Sequence, residues 1–266
     1  KAREEPSLRV ISSNGVSQML SPIYRKHGFT EFAAPRMLLL CRAHPLLELG
    51  RVPRAIRPLA SPFANLAAGY FRLRVKRVLP RRDGRLTLVK IDAMDERHDG
   101  DMRRVVARAR VACHRSAAWI NWLVRSYPTQ HPKDRAQIMA IVRDGKEIGY
   151  VLVNTRHFER AKGISDFVLG SVRDWMVWDD ANAAGDEQDA VVLATQALIE
   201  MGVDGVEVCP FESSMTRCLK RAGFLAHGSL RFFFKPLGDA SPLAHEWCKQ
   251  LENWRLRPAE GDHFFM

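Results

Sequence analysis

The fold is decided by residues 206–234, VEVCPFESSMTRCLKRAGFLAHGSLRFFF. This stretch predicts a buried strand, a polar loop, a helix with an early methionine and a basic end, a Gly-Phe pair at Gly223, and a second apolar strand. Residues 8–40, LRVISSNGVSQMLSPIYRKHGFTEFAAPRMLLL, follow the same order, with Gly28 at the matching position. A repeat of this complexity indicates two related structural units in one chain.

The region between the two copies predicts a mixed unit of helices and strands. Two β-type runs, 136–142 and 148–153, flank Asp144-Gly145 and predict a hairpin. The other predicted strands cover 86–91, 164–169 with an extension over 172–178, and 203–209, and the predicted helices cover 101–113, 116–126, 190–201 and 242–254.

Residues 43–85 differ from the rest, because they combine several prolines with a basic helical pattern over 64–77. We interpret them as a connector that contains a basic amphipathic helix. Packing against the next domain is the ordinary explanation for such a helix, and contact with a membrane surface is the alternative.

Charge is distributed unevenly along the chain, whose formal net charge is +11. Residues 1–115 hold 24 Lys and Arg against 10 Asp and Glu, whereas residues 116–266 hold 17 against 20. The basic half predicts an anionic partner, either a phosphorylated ligand or an anionic membrane surface, or else a solvated basic face. Nucleic acid is not expected, because aromatic residues interleave poorly with the charges and no nucleic-acid-binding motif is present.

Cysteine usage and hydropathy indicate a cytoplasmic protein. The five cysteines are scattered and form no C-x-x-C pair, so we expect a reducing compartment, no disulfide framework and no structural zinc. The histidines lack metal-ligand spacing, so no metal is expected. No apolar run approaches the roughly 20 residues that span a bilayer. The chain begins at Lys1, without a signal peptide, and we expect it to be a fragment.

The order of strand, Asn- or Ser-rich loop, helix, Gly-Phe and strand resembles the C-terminal half of the GNAT N-acetyltransferase fold. Residues 86–235 follow the order of the whole fold, and 116–128 (SAAWINWLVRSYP) and 254–265 (WRLRPAEGDHFF) resemble segments of a bacterial acyltransferase-like subgroup with tandem modules. The resemblance implies an α/β (α+β) fold with a mixed, mostly antiparallel central sheet flanked by helices. It divides the chain into the end of a first module (1–42), the connector (43–85) and a complete second module (86–266).

The resemblance also implies an acyl-CoA-dependent N-acyltransferase. An amine acceptor, a small molecule such as an amino sugar, would attack the thioester of acetyl-CoA or another acyl-CoA directly. Such a reaction needs a diphosphate cradle, a backbone donor for the thioester carbonyl, a base for the amine and an acid for the departing thiolate.

In the first copy of the repeat, the resemblance implies three site residues. Tyr24 stands where family members place the acid, four residues before Gly28, and the matching residue of the second copy is Leu219. Asn14 and Ser17 stand where residues contact the cofactor. A half-buried tyrosine, a turn asparagine and a helix-capping serine are the structural alternatives.

In the second module, the resemblance implies Asp166 as a base, if its side chain faces the acceptor cleft. Trp119, Asn121 and Trp122 would form walls of the acceptor pocket. A solvent-facing aspartate and a helix packed into the core are the alternatives.

The cradle position of the second module departs from the family pattern. Residues 178–190 (WDDANAAGDEQDA) hold one glycine, Gly185, and five acidic residues that would repel a diphosphate. The alternative function is therefore a non-catalytic, degenerate GNAT-like module that binds a substrate or partner.

Overall fold

Ten strands and seven α-helices build the described part of the chain. The structure, a computed structural model, describes residues 10–14, 20–78, 86–161, 163–179, 182–236, 246, 249–250, 254–257 and 259. The strands are β1 (Val10–Asn14), β2 (Thr30–Leu40), β3 (Leu86–Ile91), β4 (Val111–Ala112), β5 (Arg135–Arg143), β6 (Lys146–Ala161), β7 (Ile164–Val177), β8 (Gly205–Val208), β9 (Leu225–Pro236) and β10 (Trp254–Arg255). The helices are α1 (Ser21–Lys26), α2 (Ala43–Leu49), α3 (Arg57–Val78), α4 (Asp99–Val106), α5 (Ala117–Arg125), α6 (Ala183–Glu200) and α7 (Ser213–Arg221).

Eight of the strands form one sheet, in the order β1-β9-β2-β8-β7-β6-β5-β3. Within this sheet β7 and β8 run parallel, and the other neighbouring pairs run antiparallel. The short strands β4 and β10 form a separate parallel pair. The predicted mixed, mostly antiparallel sheet is confirmed.

The strands of the two repeats alternate in this sheet. β2 lies between β8 and β9, with Leu38 opposite both Glu207 and Leu225, and β1 pairs with the far side of β9. If β1 is exchanged with β8 and β2 with β9, their counterparts in the other copy, the order β1-β9-β2-β8 is recovered when it is read from the opposite end. The division at residues 42 and 85 stays a prediction, since strands from both sides of these boundaries share one sheet.

The helices of the two copies end in the same way. Gly28 and Gly223 have φ of +78° and +99°, values that favour glycine. In the first copy the N–H of Phe29 donates to the carbonyl of Tyr24 at 3.1 Å, and in the second Phe224 donates to Leu219 at 3.0 Å. The predicted correspondence of the two Gly-Phe pairs is confirmed at the level of individual hydrogen bonds.

Two cores lie on opposite faces of the sheet. Along β6, Tyr150 and Leu152 join a buried cluster with α4 and α5, whereas Val151 and Val153 join a cluster with α3, α6 and α7. Successive strand residues point to opposite faces, so each group of helices covers one face. The sheet is thus a middle layer between two layers of helices.

Several predicted boundaries are wrong. The helix predicted over 101–113 ends at Val106, and Val111–Ala112 is a strand because it pairs with β10. Residues 183–189, which precede the predicted helix 190–201, form the first turns of α6. Trp254 lies in a strand, while most of the helix predicted over 242–254 falls outside the described residues. The connector helix, predicted over 64–77, is the 22-residue α3.

In the ranges that the structure describes, no helix has both the length and the apolar character needed to cross a bilayer. The same residues contain no group of three or more His, Cys, Asp or Glu side chains arranged to hold a metal ion.

Candidate active site

β7 pairs with β8 over only part of its own length. The parallel pairing runs from Leu169 and Gly205 to Val172 and Val208, where β8 ends, whereas β7 continues to Val177. On the other side of β7 the register with β6 passes from Val172 to Asp174 and skips Arg173. Such a bulge bends a strand and re-aims its side chains. The last residues of β7 therefore have an open edge on the side of β8.

A cavity of about 320 Å³ lies beside the paired part of β7 and β8. We call it the central cavity. Its apolar lining consists of Leu38, Leu49, Phe158, Ala161, Ile164, Phe167 and Leu169. Its polar lining consists of Arg36, Arg173, Glu207 and His227. Apolar walls with a few convergent polar groups are typical of a small-molecule site.

Glu207 is the buried carboxylate of this cavity. It lies in the middle of β8 and is 2% exposed. Arg36 donates from Nε to Glu207 Oε2 at 2.8 Å, and Nη1 of Arg173 lies 3.8 Å from Oε1. Arg173 also donates from Nε to Oδ1 of Asn154 at 3.2 Å. Two guanidinium groups thus compensate one carboxylate and fix its position.

Our sequence reasoning missed Glu207 and Arg173, although the sequence carries a signal for both. Glu207 is the charged residue of the β-type run VEVC, and Arg173 stands beside a second charged residue, Asp174, in the β-type run VRDWMV. Charged side chains are rarely buried unless they are paired. A charge in a buried strand therefore predicts a partner of opposite charge. For Glu207 this partner is Arg36 of β2, a strand that neighbours β8 in the sheet but lies 171 residues away in the sequence.

The open edge of β7 is covered by the C-terminal segment of the same chain. The N–H of Ala259 donates to the carbonyl of Arg173 at 3.0 Å, and Nε of Arg257 lies 3.4 Å from the carbonyl oxygen of Trp175. The guanidinium of Arg257 also stacks 4.3 Å from the centre of the Trp175 ring. We call this place, bounded by β7, residues 254–257 and Ala259, the tail cleft.

The charges of the tail cleft compensate one another. The buried Arg257 reaches Glu212 at 2.6 Å and Glu187 at 3.2 Å, and Arg255 also pairs with Glu187. Burial by itself would lower the pKa of Arg257, but the charges of Glu212 and Glu187 raise it above its usual value. Burial likewise opposes ionisation of Glu212, whereas the charge of Arg257 and its hydrogen bond lower the pKa of this carboxyl overall.

The acidic side chains at the start of α6 are also paired with arginines. Asp186 pairs with Arg143, which also lies 3.7 Å from Asp179, and Glu187 pairs with the two tail arginines. A diphosphate would need free backbone N–H groups and no competing carboxylates at this helix end. The residues described here do not fit the diphosphate of an acyl-CoA, and we assign no step of a reaction to this cleft.

A second buried charge pair supports β7 at the bulge. Asp174 accepts hydrogen bonds from Nε of Arg115 and from the hydroxyl of Tyr150, each at 2.9 Å. Burial and the neighbouring Asp174 carboxylate raise the pKa of the Tyr150 hydroxyl well above its usual value. Tyr150 therefore acts as a neutral hydrogen-bond donor that holds the strand in place.

Tyr24 and the backbone of Asn14 both lie next to β9. The ring of Tyr24 lies 5.1 Å from that of Phe29 and 5.0 Å from that of Phe233, and Asn14 is paired with Phe232 in the sheet. Ser17 lies outside the described residues. The proposed roles of all three in acid catalysis and cofactor binding stay predictions.

Asp166 lies at the exposed start of β7. Its carboxylate is 2.7 Å from Nε2 of His157 and 3.4 Å from Nζ of Lys133, and its side chain is 73% exposed. The hydrogen bond to His157, followed by that to Lys133, lowers the pKa of Asp166. The role of Asp166 as a base stays a prediction.

The three predicted wall residues lie on α5, which packs against β5 and β6 through the α4/α5 core. Asn121 binds the backbone of Met94, accepting from its N–H at 2.7 Å and donating to its carbonyl at 2.9 Å. Trp119 packs against the core, and Trp122 is half exposed. None of the three is among the residues that line the central cavity, and their contact with an acceptor stays a prediction.

Comparisons with known proteins place the fold. No family model matches the sequence, and no curated protein sequence does. Among solved structures, N-myristoyltransferase from Saccharomyces cerevisiae with bound myristoyl-CoA has a TM-score of 0.50 and 10% identity, over 94% of this chain and 70% of that one.

Two further structures are similar over most of the chain. A GCN5-related N-acetyltransferase from Kribbella flavida has a TM-score of 0.45 and 14% identity, over 86% of this chain and 68% of that one. A tandem GNAT protein from the clavulanic acid biosynthesis pathway has a TM-score of 0.41 and 14% identity, over 87% and 65%. At these identities the likeness concerns the fold. With its helix-flanked, mostly antiparallel sheet and a single partly paired parallel strand pair at its centre, the chain has the GNAT fold.

Proposed function

We propose that the protein takes part in acyl-CoA-dependent N-acyl transfer and that the central cavity holds the amine acceptor. The observation that carries the proposal is the position of Glu207, a buried carboxylate in an apolar cavity beside the end of the β7–β8 pair. Substrate amines are protonated or hydrogen-bond donors, and a carboxylate accepts from both.

In this reaction each group of the cavity has a role. The apolar walls bind the carbon skeleton of the acceptor and exclude water. Arg36 holds Oε2 of Glu207, and Oε1 lies 3.8 Å from Nη1 of Arg173. When the amine nitrogen forms its bond to the acyl carbon and the carbon–sulfur bond breaks, Glu207 takes the amine proton. Acyl-CoA supplies the thioester, and most of the rate comes from the positioning of the acceptor.

The experiment measures release of the CoA thiol with acetyl-CoA and longer acyl-CoAs across a panel of amines and amino sugars. With a productive pair, Glu207→Gln should lower kcat by about 100-fold while the protein stays folded, because removal of a general base costs at least this much. Glu159→Gln is the matched control, since Glu159 is an exposed residue of β6 outside the cavity. Undiminished turnover by Glu207→Gln would rule out this role for the carboxylate.

A non-catalytic binding module is the second candidate function. It is favoured by the acidic start of α6, where Asp186 and Glu187 are paired with arginines and do not fit the diphosphate of an acyl-CoA. On this view amines should stabilise the protein against heat, and acyl-CoA should not. Thermal unfolding with each ligand separates the two functions, because acyl transfer requires stabilisation by both.

A further inference from the structure

The outer face of α3 carries a continuous apolar stripe. Leu59, Phe63, Leu66, Tyr70 and Leu73 follow one another at spacings of four and three residues, which places them on one side of the helix. Their exposed fractions run from 75% for Leu59 to 45% for Leu73. We call these five residues the outer stripe. Five large apolar side chains in one row are more than the scattered apolar residues of an ordinary surface.

The opposite side of α3 attaches the helix to the protein. Ala64, Ala68 and Val75 are buried, and Phe71 packs against the core of the α6 and α7 face. Arg74 donates to the carbonyls of Lys220 and Arg221 at the end of α7. The helix is therefore fixed with the outer stripe facing away from the domain. At 1.5 Å per residue, the stripe is about 21 Å long.

The charge around the outer stripe is mostly positive, and at the start of the helix Glu48 of α2 pairs with Arg57 at 3.3 Å. α3 contains five Lys or Arg residues and no Asp or Glu. Arg51 and Arg54 precede the helix, and residues 51–85 together hold ten Lys and Arg against a single acid, Asp83. A helix with an apolar face and cationic flanks is suited to the boundary between the headgroups and acyl chains of a bilayer.

We propose that the outer stripe of α3 docks on an anionic lipid surface, with the apolar side chains among the acyl chains and the cations on the headgroups. Charge decides against a second copy of the chain. In a parallel pair the basic last turns of the two helices would meet, and in an antiparallel pair each would meet the exposed Arg51 and Arg54 of the other copy. Both arrangements place cation against cation, whereas an anionic bilayer attracts every one of them.

Vesicle flotation tests the proposal with the whole chain. Vesicles of phosphatidylcholine with phosphatidylglycerol should carry the protein to the top of the gradient, and pure phosphatidylcholine vesicles should not. High salt should release it, because screening weakens attraction between exposed charges. Replacement of Leu59, Phe63 and Leu66 by serine should weaken binding by at least about tenfold, because each buried apolar side chain contributes to membrane affinity.

A charge variant and its control complete the test. Arg72→Gln, Lys76→Gln and Arg77→Gln together should weaken binding by about 100-fold, since each cation near an anionic surface contributes about fivefold. Arg74 is left intact because it caps α7. The control removes three exposed cations from other surfaces through Lys90→Gln, Arg125→Gln and Arg160→Gln, and should bind nearly as well as the original protein.

Each alternative has its own signature. Equal binding to neutral and anionic vesicles, or the same loss in the charge variant and its control, would overturn the proposal. A dimer in sedimentation velocity that the serine variant abolishes would assign the stripe to a second copy instead. Circular dichroism and thermal unfolding of every variant check that the fold is retained. The test does not depend on acyl transfer, so either proposal can fail alone.

Discussion

The central cavity and the tail cleft lie along the same strand, and both pair buried carboxylates with arginines. In the tail cleft, the ion-pair partners come from the chain itself, because Arg257 stacks on Trp175 and reaches both Glu187 and Glu212. In the central cavity, Glu207 also has arginine partners, but the space beside it is open and its walls are apolar.

This difference between the two places distinguishes a buried charge that stabilises the fold from one that can bind a ligand. A charge cluster that the chain closes by itself stabilises the fold, and removal of one member leaves the others desolvated. In a charge cluster beside an open apolar space, a ligand can still replace one of the charged partners. Arg173 belongs to both places, since its carbonyl accepts from Ala259 while its side chain lines the cavity.

The largest expected effect is loss of the tail arginine. Arg257→Ala should lower the free energy of unfolding by about 3 kcal/mol, because Glu187 and Glu212 lose a buried partner. Urea unfolding measures the change. Arg255→Ala is the comparison, since its side chain is 20% exposed and should cost no more than about 1 kcal/mol. Equal losses for the two variants would show that the tail cleft is not a cooperative cluster.

A part of that free energy should depend on pH. The pKa of Glu212 is lowered below its ordinary value of 4.5 in the folded protein, so its stabilising contribution is complete above pH 4.5 and is lost as the pH falls through the lowered pKa. Stability measured from neutral to acidic pH should therefore decline less steeply in Arg257→Ala than in the original protein. Parallel pH profiles would contradict this assignment.

The smallest effect on stability should come from filling the central cavity. Leu38→Phe adds volume toward an open space, so the free energy of unfolding should change by less than about 1.5 kcal/mol. Binding of the amine acceptor should nevertheless be lost, which titration calorimetry or the thermal shift would detect. Unchanged acceptor binding in this variant would show that the acceptor binds outside the central cavity. The proposed difference between the central cavity and the tail cleft would then lose its support.

Local signals in the sequence were sufficient for much of the fold. The hairpin at Asp144-Gly145 is confirmed, as are the helix ends at Gly28 and Gly223, because turn and cap chemistry depends on neighbouring residues. The GNAT-like order of elements is confirmed for the same reason. The separation of α4 from β4 was missed because β4 exists only through its pairing with β10.

The candidate site was harder to predict, because it is assembled across long distances. Glu207 and its partner Arg36 are 171 residues apart, and Arg257 reaches carboxylates on two different elements. The residues suggested by family position, Tyr24 and Asp166, carry functional side-chain types, but their surroundings are aromatic packing for one and solvent for the other. Side-chain type could be predicted from the sequence, whereas the environment depended on the tertiary structure.

The position of β2 between β8 and β9 also has a consequence for biogenesis. During synthesis on the ribosome, β2 is made long before β8 and β9, the two neighbours that complete its hydrogen bonds. Since non-local pairing slows folding, we expect this protein to fold slowly after synthesis. We also expect chaperones to protect β2 until its two neighbours pair with it.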